Sequence, residues 1–205
     1  MQRKKGFFCF AFLNERNFDN RQNYKKLCQK CTSLPYFIYL CRMEKHFATS
    51  TTLFETPCGH LLLGAESGCL CLCSWLREPV PTSITNDVDG QLLNEACRQL
   101  QEYFAHERQD FLLPLSMSGT LFQKRAWQAM LTIPYGQTIS YAEEARRAGH
   151  PTALRAIGNA NGRNPLAIIV PCHRVIASDG TIGGYSSGLD RKRFLLRLEG
   201  LASAE

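Results

Sequence analysis

Helix-start signals crowd the stretch from Gly119 to Gly162, and they restrict this part of the chain to short, packed helices. Thr120 and Gln123 stand in the T-x-x-Q spacing of a capping box at the head of "TLFQKRAWQAMLTIPYG", which ends before Pro134. Ser140 and Glu143 repeat the device at "SYAEEARRAG", which stops at Gly149. "PTALRAIGNANG" follows at once, with Pro151 suited to a first helical turn. Two short helices joined by "GHP" form a helix-turn-helix pattern, which serves either as a packing unit or as a DNA-binding device. On the second helix Ala153, Ala156 and Ala160 leave one side almost without side chains. Leu154 and Ile157 supply an adjacent apolar side, and Arg155 projects away from it. A smooth face with one arginine can approach a backbone or groove closely, though small residues equally permit tight helix–helix packing.

Upstream the texture differs. From Thr51 to about Ser74, "LFETPCGHLLLGAESGCLCLCSWL" reads as two or three strands separated by Gly turns. Cys69, Cys71 and Cys73 alternate with Leu70 and Leu72, as on a half-buried strand. Leu92, Leu93, Ala96, Leu100, Tyr103 and Phe104 then form a helical stripe. The expected fold class is therefore α/β (α+β). A small mixed strand/helix domain over residues 43–118 acts as a scaffold. A mainly helical domain over residues 119–205 carries the helix-turn-helix.

Residues 1–42 show neither period nor cap, and no small-residue cleavage site follows their apolar patch, so a signal peptide is not expected. Met43 is read as the natural start and residues 1–42 as a basic extension. Cys28 and Cys31 have the spacing of a metal hairpin, but Cys9 and Cys41 are isolated and a structural zinc needs a second close pair. No metal is expected. The ten cysteines do not show the disulfide framework of a small secreted domain, which fits a reducing cytosol. No apolar run of about 18 residues is present, so no membrane partner is expected.

Charge is unevenly spread. Residues 1–42 carry 9 Lys+Arg against 2 Asp+Glu, residues 43–118 carry 4 against 10, and residues 119–205 carry 11 against 6. A basic last segment beside an acidic one suits a nucleic-acid partner.

In "IIVPCHRVIASDGTIGGYSSG" Cys172 and His173 stand together after a short apolar run. A cysteine attacks as the thiolate, and a histidine assists as base or cation. Neighbours in an extended segment point to opposite sides, so direct contact between the two needs a bend or a bridging water. Glu199, in "RFLLRLEG", is a carboxylate able to hold the imidazole tautomer. A buried structural cysteine beside a surface histidine is the plain alternative for an isolated pair.

"IPYGQTISYAEEA", "RAIGNANGRNP", "IIVPCHRVI" and "GGYSSGLDRKRFLLRLEG" stand in this order at close spacing. Together they resemble the methylated-DNA–protein-cysteine methyltransferases, or O6-alkylguanine-DNA alkyltransferases. The likeness is strong over about 119–200 and weaker from about Thr51. It implies irreversible, single-use transfer of an alkyl group from O6-alkylguanine onto Cys172, and leaves O4-alkylthymine open as a second donor. His173, through a water, and Glu199 would form a relay keeping the thiolate populated. Asn164 would brace the turn before the active-site strand, and Tyr141 would donate to the leaving guanine. Tyr185 and Ser186 would lie in a loop closing over the base, and the backbone carbonyls of Cys172 and Val175 would read its exocyclic amine. Ala153, Ala156 and Ala160 would face the minor groove, with Arg155 filling the stack left by a flipped base. The implied partner is double-stranded DNA with alkylated bases, met by a monomer without a cofactor in the cytoplasm, or in the nucleus of a eukaryote.

Overall fold

The computed structural model describes residues 48–201. The basic extension, the start at Met43 and the cysteines Cys9, Cys28, Cys31 and Cys41 lie outside the described residues. No helix among the described residues is long and apolar enough to cross a membrane.

The strand-rich stretch forms an antiparallel meander of β1 (Ser50–Thr56), β2 (Gly59–Glu66) and β3 (Cys69–Trp75). The β2–β3 turn uses Ser67 and Gly68, both at positive φ, as a two-residue hairpin turn of the favoured hand requires. Asp87 caps α1 (Val88–Phe104) by accepting from the Asp89 and Gly90 N–H groups. Asp89 accepts from Gly68 N at 2.6 Å, which fixes the hairpin turn to the head of the helix. The expected helical stripe is the face that packs: Leu93, Ala96, Leu100 and Tyr103 are buried in one core with Leu61, Leu63 and Ala65 of β2.

The alternating cysteines do not mark a half-buried strand. Leu70, Cys71, Leu72 and Cys73 are all buried. The outer edge of β3 is also covered, by chain from later in the sequence. Leu70 N donates to Pro114 O and Ser116 N to Leu70 O; Cys73 N donates to Pro165 O and Ala167 N to Cys73 O. Satisfying that edge is what allows it to leave water.

The remaining elements are α2 (Leu121–Leu131), β4 (Ile139–Ser140), α3 (Tyr141–Arg147), α4 (Leu154–Asn161), a 3-10 turn (Cys172–Arg174), β5 (Val175–Ile176) and α5 (Leu189–Leu198). β4 and β5 pair in parallel. The Thr120–Gln123 box is complete, with both reciprocal bonds present. The second box is half made. Ser140 Oγ accepts from Glu143 N at 3.1 Å, but the Glu143 carboxylate turns to Arg146 and Arg147.

The second helix differs from expectation in three ways. Pro151 lies in the preceding turn rather than in the first helical turn, because α4 begins at Leu154 with Ala153 as its N-cap. Leu154 is 47% exposed, leaving Ile157 as the packing residue. Ala160 is buried against α2, where its carbonyl accepts from Trp127 Nε1 at 3.0 Å, so the open small-residue face holds only Ala153 and Ala156.

Candidate active site

The chain between α4 and Cys172 has little regular structure, and Asn164 organises it. Its Nδ2 donates to Val170 O at 2.7 Å and lies 3.3 Å from Cys172 Sγ, while its Oδ1 accepts from Leu166 N at 3.0 Å. Ile168 sits at φ 71°, a costly conformation for a β-branched residue. Such strain persists only where surroundings over-determine it, and here Asn164 clamps both sides of the bend.

Cys172 to Arg174 turn as a 3-10 helix, and this redirects the pair read as extended neighbours. Cys172 makes no hydrogen bond with His173. Both His173 and Arg174 instead reach Glu199, the C-cap of α5. Glu199 Oε1 accepts from Tyr103 Oη at 2.7 Å, His173 Nε2 at 2.8 Å and Arg174 Nη2 at 3.0 Å. Glu199 Oε2 accepts from Arg174 Nε at 2.9 Å and Gly136 N at 3.3 Å. Burial pushes the Glu199 carboxyl up, but the His173 and Arg174 hydrogen bonds and the adjacent positive charge outweigh it, bringing it down to about 2. An ionised carboxylate only accepts, so His173 Nε2 carries the proton and Nδ1 keeps its lone pair. That Nδ1 is buried without a partner among the described residues. Burial also lowers His173 from its ordinary value, so the ring rests neutral and is available as a base.

Burial raises the Cys172 thiol, and the nearby Asn164 amide and Lys192 ammonium pull against it. The resting sulfur is therefore the thiol, and a base would have to take its proton for it to act as a nucleophile. Lys192 is fully buried; its Nζ donates to Val175 O at 2.5 Å and Gly184 O at 3.1 Å. Burial brings this ammonium down to about 8, with the Cys172 charge opposing the shift. The Val175 carbonyl is thus already engaged by Lys192, and the Cys172 carbonyl by Val175 N. Each oxygen retains a second lone pair.

Tyr141, the first residue of α3, donates to Gly184 O at 3.3 Å. Burial raises its phenol, keeping it a donor. Gly183 packs against the ring at φ 66°, where an added Cβ would stand 3.1 Å from Tyr141 Cε2, so only glycine fits easily. Tyr185 accepts from Trp75 Nε1 at 3.3 Å, and Ser186 beside it is exposed. Arg191 stacks over Trp75 at 4.8 Å and donates to Cys58 O, Leu76 O and Ser187 O, which ties this loop to the sheet. Arg155 and Ala156 are exposed on α4, away from the buried Ile157.

This arrangement joins a buried cysteine, a neutral histidine base held by a carboxylate, and a helix pair with an exposed arginine. Comparison with known proteins identifies the family. The family model described as "6-O-methylguanine DNA methyltransferase, DNA binding domain" matches residues 121–201. That family's "ribonuclease-like domain" matches residues 50–117. The methylated-DNA–protein-cysteine methyltransferase of Methanosarcina acetivorans is 47% identical over 150 residues, covering 72% of this chain and 96% of that protein. The constitutive enzyme of that name from Bacillus subtilis is 43% identical over 160 residues, covering 75% and 97%. A crystal structure of Mycobacterium tuberculosis OGT in complex with DNA superposes with a TM-score of 0.65 at 46% identity, covering 72% of this chain and 90% of the other. The chain belongs to the 6-O-methylguanine DNA methyltransferase family.

Sequence reasoning toward this methyltransferase site missed Tyr103, Arg174 and Lys192. Arg174 stood in plain view inside "PCHRV", but arginine is almost never buried without a partner, and its partner lay 25 residues away. Tyr103 read only as part of a core stripe, and no local pattern announced its hydroxyl contact with Glu199. Lys192 sits in the charged run "DRKR", which reads as solvated surface.

Proposed function

We propose that this methyltransferase-family chain repairs double-stranded DNA by moving the alkyl group of O6-alkylguanine onto Cys172 Sγ. The observation that carries the reading is the buried Glu199–His173 pair directly after Cys172, with His173 Nδ1 free to accept a proton. A water bridges Nδ1 to the thiol. As the S–C bond forms and the C–O6 bond breaks, the thiol proton passes to His173 and the electron pair remains on guanine. Tyr141 gives its proton to the departing guanine and regains one, through solvent, from the His173 imidazolium, so the net result is one proton moved from Cys172 Sγ to guanine. Donors aimed where the leaving group gains charge stabilise it as it forms. Lys192 favours the transient thiolate from the other side.

The target lies inside the duplex, so it must be flipped at a cost of a few kcal/mol. The small-residue face of half-buried Ala153 and exposed Ala156 enters the minor groove, and Arg155 fills the vacated stack. The Tyr185–Ser186 loop closes over the base, and second lone pairs on the Cys172 and Val175 carbonyls accept from its exocyclic amine. The relatives' names describe transfer from methylated DNA to a protein cysteine, and the Mycobacterium tuberculosis structure contains DNA. Residues 43–118 serve as scaffold to residues 119–205, and the protein acts as a monomer without a cofactor, in the cytoplasm or nucleus.

Nothing in this chemistry cleaves the thioether, so each molecule acts once. With protein limiting over a duplex containing O6-methylguanine, repair is expected to stop at one lesion per protein molecule. Continued turnover, or release of methanol, contradicts the reading. Cys172→Ser is expected to bind the same duplex with no transfer, since a hydroxyl is far less ionised than a thiol near neutrality.

A further inference from the structure

Glu144 plays no part in the chemistry above, yet it is one of the most buried charged-type residues in the protein, at 0% exposure. It lies on α3, and its Oε2 accepts from Asn161 Nδ2 on α4 at 2.6 Å. The other half of each group is left over: Glu144 Oε1 and Asn161 Oδ1 are both buried acceptors without a donor among the described residues. One proton on Oε1 would supply the missing donor, because a carboxylic acid and an amide pair through two reciprocal hydrogen bonds.

The surroundings oppose a carboxylate. α2, α3 and α4 meet through the apolar cluster of Ala126, Ala129, Ala145, Ala148, Ile157 and Ala160. Among the described residues, the titratable groups that couple to Glu144 are Tyr141 on its own helix and Cys172 in the 3-10 turn, and neither is a cation. The charged residues of the packed helices stand outside: Lys124 and Arg125 on α2, Arg155 on α4 and Arg163 just beyond it are exposed, and Arg146 and Arg147 pair with Glu143. Glu144 makes no salt bridge among the described residues. A buried carboxyl with no cation to balance it resists ionisation.

We propose that Glu144 holds a proton in the DNA-competent fold and, paired with Asn161 as acid with amide, is the positioning residue that locks α3 to α4. The lock sets two functional ends at once: α3 begins with Tyr141, and α4 carries Arg155 and leads into Asn164. Ionisation would keep the Asn161 Nδ2 bond but remove the proton offered to Asn161 Oδ1, leaving Oε1 and Oδ1 as two buried acceptors without a donor, and it would place a negative charge under the helix that approaches phosphate. It would also oppose the Cys172 thiolate, to which Glu144 is electrostatically coupled. Burial pushes this carboxyl up to about 7, so the change falls near physiological pH. A raised folded value means that the stabilising contribution is complete below the ordinary value of 4.5 and is lost as pH rises through about 7. DNA binding, which favours the protonated form, must then take up a proton at mildly alkaline pH.

The role rests on the DNA-alkyltransferase reading, but its test does not require transfer. In the full chain with 13C-labelled glutamate carboxyls, one glutamate is expected to titrate near pH 7 by NMR. The other shifted carboxyls, Asp87, Glu95, Glu143, Asp179 and Glu199, all move downward and will not interfere. Adding unmodified duplex DNA at fixed salt should shift that titration up by about one unit, equivalent to a tenfold fall in DNA affinity between about pH 6 and about pH 9. Glu144→Gln keeps both hydrogen bonds without a titrating proton. It should remove the resonance, retain DNA affinity and flatten the pH profile. If no glutamate titrates above about pH 6, the proton is absent and the proposal fails. If one does but DNA leaves its titration unmoved, the positioning role fails even should Glu144→Gln not fold. Loss of methyl transfer with both shifts intact would count against the alkyltransferase reading alone.

Discussion

Glu199→Gln is expected to lower stability by about 3–5 kcal/mol and to slow methyl transfer at neutral pH, because it strips the charge from the most connected carboxylate in the fold. Arg174 would keep its buried guanidinium with no counter-charge, and Tyr103 and His173 would each face an amide in place of a carboxylate. For a chain of this size such a loss lowers Tm by roughly 6–20 °C. The pH dependence supplies an independent check. Glu199 is held at about 2 against an ordinary 4.5, so its stabilising contribution is present above about pH 4.5 and fades as pH falls toward about 2. Over that window the wild type should lose about 3 kcal/mol that the Gln variant never had. Removing both partners, as Arg174→Met with Glu199→Gln, should cost less stability than Glu199→Gln alone, since no buried charge is then stranded. Transfer should still be slow in the double variant, because His173 has lost its orienting carboxylate. Thermal melts at several pH values and single-turnover rates at a temperature where all variants are folded separate the two effects. Equal stability of wild type and Glu199→Gln would refute the network as described.

Some of this arrangement was legible in the sequence, for identifiable reasons. Capping residues act locally, so Thr120 and Ser140 marked real helix starts. The Leu93–Tyr103 stripe marked the face of α1 that packs. The order of the four motifs brought Cys172, His173, Asn164 and Glu199 into one site, where His173 and Glu199 stand in contact and Asn164 reaches the sulfur. What escaped was set by contacts distant in sequence. The 3-10 turn that sends His173 and Arg174 to one carboxylate has no local signature, and the edge pairing that buries β3 comes from residues 114–116 and 165–167. Ala160 reads the same as Ala156 in a helical pattern. Only the position of Trp127 decides that one is core and the other surface.

Arg155→Ala is expected to slow repair of O6-methylguanine in duplex DNA by roughly tenfold or more. Arg155 is exposed as the second residue of α4, off the side anchored by Ile157. As a wedge in the stack it would offset part of an unstacking cost on the order of a few kcal/mol. Losing about 1.4 kcal/mol of that compensation lowers the flipped population about tenfold. The free base O6-benzylguanine needs no flipping, so its reaction with Cys172 should be nearly unchanged. Arg155→Lys holds the charge constant and separates stacking from phosphate attraction. Equal slowing on both substrates would assign Arg155 to the fold, and no slowing on either would make it an ordinary surface arginine.

The most direct test of the central claim is the intact mass of the full chain before and after incubation with duplex DNA containing O6-methylguanine, followed by peptide mapping. The account predicts a gain of one methyl group, located on Cys172 and absent from Cys172→Ser. An unchanged mass after the lesion has been repaired, or a methyl group found on another residue, would contradict it.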